Sequence, residues 1–299
     1  VTGVAHILDG AFGAGLLQKI LDGYTKIAHV YEPNDQLFLL WFSRGAYTVR
    51  CLGGMIAVCG LPTGTFTNDC VAQAFAAYRN PSQRAAILGG LAPCNLQPAT
   101  IQMVGVWDTV GALGIPAMFG GIDQKKYGFL DTALHPCIKN AFHSIALDEK
   151  RAQFPATLWD EPPSSGQTLE QVWFSGCHCD VGGGTAPGGP AITGTTLCDI
   201  PMGWMISKAQ QCGLTFIAGT TDQYAALPAE TALDAIRETW KLEDGPPRLR
   251  PVAANAKIGN SVAVRLKYAL TYVPGSLRVM DGGLADTYVI DNVVSDSAF

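Results

Sequence analysis

A serine, an aspartate and a histidine can together turn a hydroxyl into a nucleophile, and this chain sets one of each at the end of a run that reads as a strand or in the loop that follows it. Leu37 to Phe42 is a continuous apolar run that ends at Ser43. Ile101 to Trp107 is a second such run and ends at Asp108, and Glu170 to Phe174 is a third, followed by the loop Ser175 to Gly184 that carries His178. A serine hydroxyl is a weak nucleophile until a base takes its proton. Imidazole titrates near neutrality, so it can take that proton and return it to a leaving group. A buried carboxylate fixes the imidazole tautomer and stabilises the cation that forms. The backbone N–H of Arg44, next after the serine, is placed to donate to an oxyanion at the start of the following helix.

Each of these residues has a plainer explanation. Serine at a strand-to-helix junction is often an N-cap. Trp107-Asp108-Thr109 could be a side-chain-capped turn. His178 lies in Cys177-His178-Cys179, which raises metal binding, but adjacent residues rarely face one ion and no second Cys/His cluster supplies ligands at zinc spacing. No metal and no cofactor is therefore expected. Asp180 is an alternative orienting acid; two residues from His178, it is better placed to shape the Gly182-Gly183-Gly184 loop. His6 and His29 precede Ser43, and His135 and His143 fall on an expected helix. The glycine loop lacks the Lys-Ser/Thr ending of a phosphate-binding loop and does not match the dinucleotide fingerprint.

These residues need elements to hold them. Leu16, Leu17, Ile20, Leu21, Tyr24, Ile27 and Ala28 recur at helical spacing, which predicts an amphipathic helix over 14–30. Glu32 to Asp35 is a turn. The unalternating run 37–42 reads as a parallel strand buried on both faces. From Arg44 the period becomes helical, with Ala46, Val49, Leu52 and Ile56 on one face. Further helices are expected at about 131–147 and 199–212, and edge strands at 262–266 and 288–290. Strands alternating with helices predict an α/β fold, with a mostly parallel sheet covered on both faces. Sites in such sheets lie at the carboxyl ends of the strands, which is where Ser43, Asp108 and His178 fall. Nothing linker-like divides residues 1–299, so one domain is expected.

Composition excludes several classes. Apolar residues make up 48% of the 299 and charged residues 15%, enough to build a core and too apolar for disorder. The net charge of −5 comes without a basic block, which argues against nucleic acid. No segment is long and apolar enough to span a bilayer, although contact with a membrane surface stays open. The first residues lack a basic-then-apolar leader, which suggests a cytoplasmic chain or one exported without a conventional signal peptide. Nine cysteines, an odd number, do not form a small disulfide scaffold; a reducing compartment is the simpler reading, with one or two disulfides left open. Oligomeric state is not legible.

Five segments in order resemble the catalytic domain of the type VI secretion lipase effectors, an α/β-hydrolase domain family. They are Phe42 to Thr48, Val104 to Gly111, His143 to Arg151, Val172 to Gly184 and, more weakly, Asn260 to Val262 with Arg265-Leu266. The resemblance implies an α/β-hydrolase fold, Ser43, Asp108 and His178 as a triad, and carboxylic-ester hydrolysis with phospholipid acyl esters as the substrate class. Gly45 matches the last glycine of the family's Gly-x-Ser-x-Gly elbow, and Trp107 flanks the acid. Three departures stand out. Trp41 occupies the elbow's first, normally small position, where backbones approach closely. The family's opening strand and Asp-Gly-Thr loop, a source of a second oxyanion donor, has no counterpart, which suggests a fragment or a donor from elsewhere; losing one donor costs about 10²–10³ in turnover. Gly259-Asn260 stands where the family often has histidine before its Ser-Val pair. Ala112 to Phe119 could line an acyl pocket, form a lid, or simply pack. The competing reading is a weak or inactive relative that binds a ligand or partner.

Overall fold

The computed structural model describes residues 2–111, 132–184, 196–225, 227–269, 271–277, 279–280, 283–284 and 287–294, with side chains from residue 15 onward except at 279, 280 and 283. Ala112 to Phe119 lies outside them. The chain opens with helix α1 (Thr2–Val30) and strand β1 (Leu37–Phe42), followed by helix α2 (Ser43–Cys59) and helix α3 (Asn68–Arg79). Then come β2 (Ile101–Trp107), β3 (Ile138–Ala146), β4 (Thr168–Phe174) and the short helix α4 (His178–Gly182). Helix α5 (Asp199–Gln211), β5 (Lys257–Gly259), α6 (Asn260–Tyr268) and β6 (Val289–Asp291) complete the frame. The six strands lie in chain order and every neighbouring pair is parallel. Parallel pairing forces a crossover after each strand, which brings all the carboxyl ends to one edge of the sheet.

Side chains alternate across a strand, and the two sets feed two cores. Leu39, Val104, Val106 and Ala141 meet Ile20 and Tyr24 of α1, Ala46, Val49, Leu52 and Ile56 of α2, and Phe75 of α3. Met103 and Phe142 face the other way, onto Trp204 and Met205 of α5, with Phe38 and Leu40 packed beside them. Helices therefore cover both faces, as expected. The predicted helical stripes of α1 and α2 are the buried ones.

Three expectations fail. Residues 138–146, expected to be helical, form β3, which is buried almost throughout. A central parallel strand carries no alternation, so its pattern does not separate it from a buried helix. Residues 262–266, expected to be an edge strand, lie in α6: their β-branched alternation is too short to separate strand from helix, and Ser261, Val262, Val264, Arg265 and Leu266 are all buried against neighbours. β1 is not buried on both faces. It is the sheet's outermost strand among the described residues, and only Leu39 of it is buried.

Of the one or two disulfides that the sequence left open, one is present. Cys70 and Cys94 form a disulfide, which joins α3 to the turn before β2, while the other seven are free. No helix among the described residues is long and apolar enough to cross a membrane.

Candidate functional site

β1 and α2 meet without a loop, so the chain must turn sharply at Ser43, which has φ +61°. A non-glycine residue there is strained, and such strain persists only where the surroundings enforce it. Trp41 is accommodated sideways. Its indole is 60% exposed and lies over Gly45, where a Cβ would come within 1.7 Å of the ring. The missing side chain at Gly45 is what admits a large residue two positions before the serine.

Asp108 ends β2, also at positive φ, +39°. Backbone bonds tie this end to β3: Asp108 N–H donates to Ser144 O at 2.7 Å, and Thr109 N–H donates to His143 Nε2 at 3.0 Å. His143 is therefore neutral with its proton on Nδ1; burial and the Arg50 guanidinium push its pKa down to about 3. It braces the strand end, while the bonds to Ser43 and Asp108 come from His178.

His178 opens α4. Its Nδ1–H donates to Asp108 Oδ2 at 2.5 Å, and its Nε2 accepts the Ser43 hydroxyl at 2.7 Å. The three residues sit on three strand ends and form one continuous line of hydrogen bonds. The imidazole is held between two rings: Phe42 at 4.4 Å, tilted, and Phe154 at 5.0 Å, edge-on. Gly182 makes room for Phe42, since a Cβ there would fall about 1.9 Å from its ring. The His178 N–H donates to Glu149 Oε2 at 3.2 Å, and Arg151 clamps that carboxylate with two 2.8 Å bonds.

Asp108 is fully buried, which alone would raise its pKa. The Arg250 guanidinium, with His178, reverses the sign and holds the carboxyl well below its usual range. Arg250 donates to Oδ1 at 2.6 Å and to Oδ2 at 3.0 Å, and Ala146 N–H donates to Oδ1 at 2.9 Å. Arg250 also satisfies Ala146 O and Phe154 O. Planar, bidentate recognition of a buried carboxylate is what guanidinium does best.

Sequence reasoning missed Arg250, Glu149 and Phe154. Arg250 stands 142 residues from Asp108, in a polar stretch that no spacing rule singles out. Asp180 is not in the line to His178. It accepts from Cys177 N–H at 3.0 Å and Arg237 N–H at 3.1 Å, so it caps α4. Trp107 is buried behind Asp108. Cys177, Cys179 and Asp180 offer ligand atoms within 4.8 Å of one another. That set already faces the Arg237 guanidinium, 3.5 Å from Asp180 Oδ1, which a metal ion would have to displace. A cleft of about 660 Å³ lined by Gln36, Thr100 and Lys139 opens at the strands' amino ends, opposite the triad.

An all-parallel sheet, helices on both faces and polar residues gathered at the carboxyl strand ends define an α/β protein. Residues 1–208 match the family model of the catalytic domain of Tle1-like phospholipase effectors of the type VI secretion system, and the chain belongs to that family. An uncharacterized protein of Saccharomyces cerevisiae is 25% identical over 180 residues, covering 54% of this chain and 24% of the yeast protein. A crystal structure of a Pseudomonas aeruginosa protein is similar at 19% identity and a TM-score of 0.40, over 74% of this chain and 30% of that one. The Tle1 effector bound to the VgrG spike is 21% identical with a TM-score of 0.32, over 59% of this chain and 32% of the effector. The chain thus spans about a quarter to a third of the length of these relatives.

Proposed function

We propose that this chain is a serine hydrolase that cleaves carboxylic esters, with the acyl esters of phospholipids as its substrate class. The observation that carries the proposal is the unbroken line from Ser43 Oγ through His178 to Asp108, with every bond at 2.7 Å or shorter. Membership of a phospholipase effector family supports the substrate class.

In this mechanism His178 Nε2 takes the Ser43 proton as Oγ attacks the ester carbonyl. The imidazolium is stabilised by Asp108, which Arg250 keeps ionised, so Asp108 orients the ring and takes no proton. The Arg44 N–H, at the start of α2, donates to the oxyanion. His178 then protonates the leaving alcohol, an acyl-Ser43 ester remains, and water repeats the attack. The strands that lead to the triad share one sheet with β5, the strand that runs into α6, which supports residues 1–299 working as one domain. No metal or cofactor takes part. Approach to a lipid surface, and export without a conventional signal peptide, follow the family's chemistry and belong to the same proposal.

The test is hydrolysis of p-nitrophenyl esters from acetate to palmitate, beside fluorophosphonate labelling, by wild type and Ser43→Ala. We expect labelling to vanish and turnover to fall by about 10⁴-fold or more in the variant. The preferred chain length separates esterase from lipase. Absence of labelling in well-folded wild type would turn the reading to a ligand-binding relative.

A further inference from the structure

His178 stands between two cysteines whose thiols face each other. Cys177 Sγ and Cys179 Sγ lie 3.3 Å apart, while the imidazole between them in sequence is engaged with Asp108 and Ser43. Cys177 is buried, whereas Cys179 is partly exposed. The Arg237 guanidinium lies beside Cys179, donating to its carbonyl and to Gly184 O. Neither sulfur has a part in the proposed hydrolysis.

We infer that Cys177 and Cys179 are a reversible oxidation site, in which a hydroperoxide closes them into a disulfide that pulls His178 off Ser43. The part about His178 rests on the proposed hydrolase; the disulfide does not. The Cys179 thiolate attacks the hydroperoxide's outer oxygen and the O–O bond breaks; the alkoxide (hydroxide from hydrogen peroxide) leaves and takes from water the proton that the Cys179 thiol released on ionising, so Cys179 becomes a sulfenic acid. Cys177 Sγ then attacks that sulfur and expels hydroxide, which takes the Cys177 proton and departs as water. Two thiols lose two electrons and the hydroperoxide gains them.

Two features suit the pair to this chemistry. The hydrogen bond from Cys177 lowers the Cys179 pKa; burial opposes it, Arg237 assists, and the value settles at about 6. A partly exposed thiolate beside a resolving thiol is how oxidation-sensitive cysteines are built. Closure also reaches the histidine. A disulfide is about 2.05 Å long, so the sulfurs must approach by more than 1 Å, roughly, across the one residue that separates them. Cys177 Sγ would also give up its role as acceptor at the start of α4. The triad bonds of 2.5 and 2.7 Å leave no slack for such a shift. A misplacement of about 1 Å costs about 10²-fold in rate.

The test treats the whole chain with hydrogen peroxide, alkylates it, and reads the 177–179 segment by fragment mass spectrometry. We expect loss of two hydrogens within that segment, reversed by dithiothreitol. Ser43 labelling should drop about 100-fold and recover on reduction, and the downfield NMR proton of the His178–Asp108 bond should disappear in parallel. Cys177→Ser keeps an oxygen acceptor for the cap, so it should fold normally and keep both readouts under peroxide. Alkylation of both thiols after peroxide, pairing of Cys179 with a cysteine other than Cys177, or a 177–179 disulfide that leaves the histidine proton unchanged would each overturn the inference. Failure of reduced wild type to label, with the proton and mass changes intact, would count against the hydrolase alone.

Discussion

Asp108 carries a charge that its burial opposes, and Arg250 is the residue that makes it tolerable. A carboxylate whose folded pKa is depressed adds stability that is complete above its unfolded value, about 3.9. That stability is lost as pH falls through the folded value. Arg250→Gln removes the main opposing cation, so the Asp108 pKa should rise and the acid limb of kcat/KM should move to higher pH. Stability should fall by about 3–5 kcal/mol, the usual result of leaving one buried charge unpaired. An acid limb that stays in place would refute the role given to Arg250. His143 acts with its own window. Its folded pKa of about 3 lies below the unfolded value of about 6.5. The unfolded chain therefore binds the extra proton first. Stability should be full above pH 6.5 and decline as pH falls toward 3. His143→Asn should flatten that decline in urea unfolding at pH 7, 5.5 and 4.5, and an equal slope in both proteins would exclude His143 as its source.

The β1–α2 junction depends on one missing side chain at each of two close approaches. Gly45→Ala would drive a methyl into the Trp41 ring, and overpacking of this kind costs about 1–3 kcal/mol. Activity should fall with it, because the displaced helix start carries Ser43 and Arg44. Trp41→Ala alone should be mild, since the indole is mostly in solvent. The double variant should resemble Trp41→Ala, a non-additivity that a double-mutant cycle on thermal unfolding and ester turnover would measure. Additive losses would mean that Gly45 is needed for something other than Trp41. The Gly182–Phe42 contact follows the same logic on the histidine side. Phe42 cannot stack on His178 once residue 182 has a Cβ, so Gly182→Ala should lower kcat more than it lowers stability.

Across the whole molecule, the Cys70–Cys94 disulfide and the buried Arg50 guanidinium hold parts that the sheet does not. Cys70–Cys94 closes a loop with a sequence separation of 24, for which chain entropy gives about 3 kcal/mol. Cys70→Ser should lower the unfolding temperature by several degrees, roughly, and calorimetry with and without dithiothreitol should show the same difference in wild type only. Arg50 is 2% exposed, donates to Thr132 O, Thr157 O and Leu158 O, and stacks 4.1 Å over Trp159. It ties α2 to the segment before β3 and to the one before β4. Arg50→Met leaves those carbonyls without their donor, and each unsatisfied buried group costs about 1–3 kcal/mol.

The amino-acid sequence determined the α/β class, the strand ends that hold Ser43, Asp108 and His178, and the helices 14–30 and 199–212, because these rest on local periodicity and on abrupt changes of it. Local pattern failed where burial is uniform: 138–146 and 262–266 are enclosed on nearly every side, so neither shows the one-sided stripe that separates strand from helix. The place of β1 at the sheet's edge, and hence the exposure of Trp41, depends on which strand lies beside which, a property of no single segment. Only the tertiary structure brought Arg250 onto Asp108 and Glu149 under His178. Those contacts join residues far apart in the chain through buried charge, and the energy that selects them exists only once the surrounding core has excluded water.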